Sequence, residues 1–174
     1  MNQQQKTIWT IGHSTHSAEE FLDILQSYNI ELLVDVRRFL GSRKFPQFNQ
    51  DALRNFLADN AINYVHLQNL GGRRRPNPDS ENTAWRHPAF RAYADFMESE
   101  EFKIGINELE ALATQKVTSI MCSEVLWWRC HRSMIADCLK AKGWEVIHIL
   151  SKETATVHPY TQPAKVVNGN LTYH

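Results

Sequence analysis

The sequence predicts an α/β fold: a mostly parallel sheet of about five strands with helices on both faces, Rossmann-like and three-layered, followed by a C-terminal β-hairpin. Two observations carry this. Short apolar, β-prone runs alternate with stretches of helical periodicity through the first 150 residues, the pattern of crossover connections over a parallel sheet. Near the end, Asn168-Gly169 separates two short β-prone runs in "AKVVNGNLTYH", a strong two-residue hairpin signal.

Residues 7 to 12, "TIWTIG", are β-branched and aromatic and stop on glycine, as a buried strand does. In "SAEEFLDILQSYN", Ser17 and Glu20 have capping-box spacing, and Phe21, Leu22, Leu25 and Tyr28 share a helical face. "ELLVDV" (31 to 36) reads as the second strand, "NQDALRNFLADN" (49 to 60) as a helix capped by Asn49, and "INYVHL" (62 to 67) as the third strand. Residues 68 to 89 include "GGRRRPNPDSENT", a long loop of the kind that carries function in compact domains. "AFRAYADFM" and "FKIGINELEALAT" give one broken or two consecutive helices to about residue 114, and "KVTSIMC" (116 to 122) is the fourth strand. A helix follows in which Cys130, Met134 and Cys138 recur every fourth residue. Gly143 ends it and "WEVIHIL" (144 to 150) is the fifth strand.

With 174 residues and 43% hydrophobic content, the chain suffices for one core and is short for two, so residues 1–174 are expected to form one domain with 151–174 as an extension. The opening "MNQQQKT" has no signal-peptide core, and no apolar span is long enough for a bilayer, so a soluble, cytoplasmic protein without membrane partners is expected. Three cysteines crowded into residues 122–138 make a poor disulfide framework and suit a reducing compartment. Net charge is zero, which argues against a basic coat protein. Residues 36 to 78 nevertheless carry eight basic residues against Asp51 and Asp59.

Ligands of open parallel sheets bind beyond the carboxyl ends of the strands. There the sequence sets His13 and Ser14 after strand one, Asp35, Arg37 and Arg38 after strand two, Gly71 and Gly72 with three arginines after strand three, and Cys122, Glu124, Cys130, His131 and Arg132 after strand four. A helix starting near residues 129–131 would offer free N–H groups and a positive dipole end to an anion, and would favour the Cys130 thiolate. A start near Ser123 would move that effect to Cys122 and Glu124. Arg132 could clamp phosphate or carboxylate, and Glu124 or His131 could carry a proton. Each has a plainer reading: Cys138 as a small core residue, His66 and His148 as satisfied core or rim histidines, Trp127 and Trp128 as packing. A cysteine-phosphatase loop fits poorly, because "SEVLWW" between Cys122 and Arg129 contains no glycine.

The ordered set "IGHST", "DVRR", "FNQDAL", "LGGRRR", "FRAYADFM", "MCSEVLWWRCHRSMIA" and "HPYTQPAKVVNGNLTY" resembles the bacterial and archaeal domain-of-unknown-function family numbered 488. Its most specific part is Cys-x-Glu-x5-Cys-His-Arg-x2-Ile-Ala, from Cys122 to Ala136. The resemblance implies an α/β fold and a site at His13, Ser14, Asp35, Arg37, Gly71, Gly72, Cys122, Glu124, Cys130, His131 and Arg132. It supplies no reaction.

Three functions remain open on the sequence. The first is an enzyme on a small phosphorylated or nucleotide-like anion, with Arg37, His131 and Arg132 binding, Asp35 or Glu124 as acid or base, and Cys122 or Cys130 as nucleophile. No cofactor is required by this reading. The second is a nucleic-acid-binding or nucleic-acid-processing module using the basic block and Phe39, Phe45 and Phe48. The third is a divalent-metal protein with ligands drawn from Cys122, Cys130, His131 and His13 or Glu124, although Cys-x7-Cys-His lacks the paired spacing of structural zinc sites.

Overall fold

The computed structural model describes residues 6–174; residues 1–5, on which the signal-peptide reading partly rests, lie outside them. Strands β1 (Thr7–Gly12), β2 (Leu32–Asp35), β3 (Asn63–His66), β4 (Thr118–Cys122) and β5 (Glu145–Ile149) are all parallel, and β6 (Ala155–Val157) adds an antiparallel edge. The order is β3-β2-β4-β1-β5-β6. This sixth strand goes beyond the five expected; at three exposed residues it is too short to show a period. Strands β7 (Lys165–Val167) and β8 (Asn170–Thr172) form the expected hairpin, with Asn168 and Gly169 both at positive φ as a tight turn requires.

Helices α1 (Ala18–Ser27) and α2 (Gln50–Ala58) cover one face, while α3 (Pro88–Met97), α4 (Glu100–Gln115) and α5 (Arg132–Ala141) cover the other. Strand residues divide by parity. Ile8, Leu32, Val34, Ile120, Cys122 and Val146 face the α3–α5 core, whereas Ile11, Leu33, Met121 and Ile149 face the α1–α2 core. The Ser17 capping box forms as expected. Asn49 does stand at the α2 N-cap, but its side chain accepts from the Ser42 amide rather than from the helix.

The site follows from the strand order. Because β4 inserts between β2 and β1, Cys122 ends in the middle of the sheet and its loop leaves between those of its neighbours. Parallel pairing continues past the strands, with His13 N–H donating to the Cys122 carbonyl and Ser14 N–H to that of Ser123, both at 2.9 Å. No helix among the described residues is long and apolar enough to cross a membrane.

Candidate functional site

A cavity of about 310 Å³ opens at the carboxyl ends of β2, β3 and β4, lined by Arg37, Arg38, Phe39, Gly72, Arg73, Phe90, Tyr93, Cys122, Ser123, Glu124, Arg129, Cys130 and His131. A second lobe of about 440 Å³ shares Arg37, Phe39, Ser123 and Glu124 and adds His13, Ser14 and Phe45. The structure thus gathers most of the expected residues at one rim.

Between β4 and α5 the chain makes a tight corner with one turn of 3-10 helix at Trp127–Arg129. Gly12 permits it: a Cβ there would lie 1.7 Å from the Glu124 carbonyl oxygen. Arg132 holds it. Expected to clamp a ligand, Arg132 is instead fully buried, and its guanidinium turns inward to donate to the carbonyls of Glu124 and Val125 and to the Thr10 hydroxyl. Its two terminal nitrogens are spent on these partners, while Nε is buried with no partner.

The corner brings Cys122 and Cys130 together, Sγ to Sγ 2.7 Å, on the cavity floor. The helix begins at Arg132, so the Cys130 reading of the dipole applies, and the Arg132 amide donates to the Cys130 sulfur at 3.4 Å. His131 Nε2 bonds the Val36 carbonyl at 2.9 Å and must carry the proton there, which leaves Nδ1 facing the Cys130 sulfur at 3.6 Å. Burial opposes ionisation of Cys130. The hydrogen bond from Cys122 and the charges of His131 and Arg132 outweigh it and hold that thiol well below its ordinary range. Burial and the Cys130 neighbour push Cys122 well above it. The pair therefore ionises at Cys130, with Cys122 keeping the proton between them.

Asp35 also differs from expectation. It is fully buried, and its oxygens accept from the Arg37 amide, Nε (2.9 Å) and Nη2 (2.8 Å) and from the Tyr64 hydroxyl (2.5 Å). No oxygen is left for acid–base work in the cleft, and its effect is to align Arg37 between the two lobes. Arg37 also donates to the Phe48 carbonyl and, through Nη1, to His13 Nε2 at 3.4 Å. His13 stacks on Phe48 at 4.3 Å, and burial, aided by Arg37, lowers its pKa to about 4, so it is a neutral acceptor. Ser14 lines the second lobe in a left-handed conformation.

The glycines of "LGGRRR" are spacers. A Cβ on Gly72 would sit 3.0 Å from His131 Nδ1, and one on Gly71 3.1 Å from the Arg38 backbone. Of the three arginines, Arg74 folds back over Phe96 and onto the Gly71 and Gln68 carbonyls, leaving Arg73 at the cavity mouth. Glu124 and Ser123 are exposed on the rim between the lobes. Among the described residues no group of three or more His, Cys, Asp or Glu side chains is arranged to hold a metal ion, and His13 is turned to Arg37 rather than to the thiols.

A buried relay that sequence reading missed backs the corner. The Asp137 carboxylate accepts from His158 Nε2 (2.8 Å), the Thr161 amide and hydroxyl, and the Tyr173 hydroxyl. His158 Nδ1 meets His148 Nε2 at 2.8 Å, and His148 Nδ1 meets the Thr10 hydroxyl at 2.6 Å. Because both Asp137 oxygens act as acceptors, proton directions follow along the line: both histidines carry Nε2–H, and Thr10 donates to His148 while accepting from Arg132. Burial, with His158 and Arg132 nearby, lowers His148 to about 2, which keeps it neutral. Trp127 lies flat on His148, centroids 4.4 Å apart at 4°, so the corner is packed against the relay. The one usable sequence signal was Asp137, a carboxylate on the apolar face of "MIADCL".

Fold and site together define an α/β protein with a thiol pair and a rim of guanidinium groups at the carboxyl edge of a parallel sheet. Residues 17–139 match the family described as "Domain of unknown function DUF488", and the chain belongs to it. The matched stretch ends just past Asp137, so its partners His158, Thr161 and Tyr173 lie outside it. No curated protein and no solved structure matches the chain.

Proposed function

We propose that the protein is an enzyme in which the Cys130 thiolate attacks an electrophilic centre of a phosphorylated or nucleotide-like anion, by hydrolase- or transferase-type chemistry. The observation that carries this reading is the cavity-floor sulfur of Cys130 with three hydrogen-bonding neighbours, the Cys122 thiol, His131 Nδ1 and the Arg132 amide. His131 accepts the thiol proton. Arg38, Arg73 and Arg129 attract the anion at the mouth, Arg37, whose charge Asp35 balances, is the inner hydrogen-bond donor, and Phe39 and Phe90 offer apolar walls to a flat group. Glu124, exposed between the lobes, is positioned as the proton carrier for water or a leaving group.

The test is a panel of phosphorylated and nucleotide-like compounds assayed for turnover and for a covalent adduct by intact mass. The expected result is an adduct on Cys130, no turnover in Cys130→Ser, and a raised KM with little change in kcat in Arg129→Ala. Undiminished turnover in Cys130→Ser removes the proposal.

A second reading, binding or processing of single-stranded nucleic acid, is favoured by Phe39, which is 59% exposed at the mouth with the Arg38 and Arg73 guanidiniums 6.0 and 5.2 Å from its ring. An electrophoretic shift at low salt that Phe39→Ala weakens supports it, and absence of any shift at low salt removes it.

A further inference from the structure

We propose that Cys122 is the resolving thiol of a reversible disulfide with Cys130, giving the site a second activity: reduction of small hydroperoxides at the expense of an external dithiol. The inference rests on the reading of Cys130 as the nucleophile. The sulfurs stand 2.7 Å apart, against about 2.05 Å in a disulfide, so closing the bond needs only a small movement. Cys138 is not part of the pair; it lines a separate groove beneath the hairpin.

In the first step the Cys130 thiolate attacks one oxygen of the hydroperoxide. The O–O bond breaks, an S–O bond forms, and the departing oxygen takes the proton that His131 Nδ1 received from the thiol and leaves as alcohol or water, as Cys130 becomes a sulfenic acid. In the second step the Cys122 sulfur attacks that of Cys130. The S–S bond forms, and hydroxyl leaves with the Cys122 proton as water. Two thiols have then lost two electrons and the peroxide has gained them, and the dithiol restores both thiols by exchange. A neutral oxidant of a few atoms suits a cysteine on the cavity floor that is only 7% exposed.

The experiment is equimolar hydrogen peroxide on the fully reduced chain, followed by intact mass, peptide mapping and dimedone labelling. The expected product has lost two hydrogens, links Cys122 to Cys130, leaves only Cys138 free and returns to three thiols with dithiothreitol. Cys122→Ser and Cys122→Ala should stop at a Cys130 sulfenic acid that dimedone captures. Equal dimedone labelling of Cys130 in the wild-type chain, or a link that uses Cys138, overturns the inference while leaving Cys130 as nucleophile. A Cys130 inert to both peroxide and iodoacetamide overturns the inference and the underlying reading together.

Discussion

The Nε2–H of His131 donates to the carbonyl oxygen of Val36, the residue that follows β2, at 2.9 Å. A strand end thereby sets the tautomer of a ring whose other nitrogen faces the Cys130 sulfur. Replacing His131 with Gln should leave a side chain able to bond Val36 but unable to take up the thiol proton. Alkylation of Cys130 near neutral pH should slow at least about tenfold, which is one pKa unit of thiolate. Stability should fall by about 1 kcal/mol or less. Stopped-flow alkylation and urea unfolding read the two effects separately.

The glycines separate along the same lines. Gly72→Ala presses on His131 Nδ1 at 3.0 Å, a contact that a small ring movement relieves. It should slow Cys130 alkylation while costing about 1 kcal/mol of stability. Gly12→Ala meets backbone at 1.7 Å, and no side-chain rotation relieves that. It should be the more damaging of the two in a thermal or urea melt.

Arg37 is 6% exposed and its charge is neutralised by a fully buried Asp35. Asp35→Asn leaves the guanidinium buried without a counter-ion and should cost about 3 to 5 kcal/mol. Asp35→Asn combined with Arg37→Met should recover part of that loss. A double-mutant cycle by urea unfolding measures the coupling, and additivity would show that the pair does not act as one.

Two buried histidines predict the acid limb of stability. Burial lowers His13 to about 4 and His148 to about 2, against about 6.5 in the unfolded chain. The unfolded state therefore binds more protons below pH 6.5, and stability falls as pH falls. The loss from His13 should end near pH 4, and that from His148 should continue to the lowest pH reached. Each contributes up to about 1.4 kcal/mol per pH unit within its window. Unfolding midpoints of His148→Gln should flatten this slope, although the variant itself starts lower because Thr10 and His158 lose their partner.

Much of the architecture was legible because it rests on local physics. Parity within "TIWTIG", "ELLVDV" and "KVTSIMC" sets which residues face each helical layer, and Ser17, Gly143 and Asn168-Gly169 mark their turns and caps by their own backbone needs. The rim was legible for the same reason, since strand ends follow from strands. Side-chain direction was not. Arg132 and Asp35 carry the residue types of a ligand site, yet both are spent inside, on carbonyls that converge at the corner and on a guanidinium two residues away. The Asp137–His158–His148 line was hidden because its members lie 10 to 21 residues apart and meet through a three-residue edge strand too short to register as a pattern.

The central claim is that Cys130, and not Cys122, is ionised on the cavity floor at neutral pH. Thiolate ultraviolet absorbance of the reduced chain, titrated against pH alongside Cys130→Ser and Cys122→Ser, tests it most directly. The predicted result is a thiolate present well below the ordinary cysteine range of about 8.5 that disappears in Cys130→Ser and persists, at a higher midpoint, in Cys122→Ser. Absorbance that rises only above that range, or an early thiolate that survives in Cys130→Ser, would contradict the account.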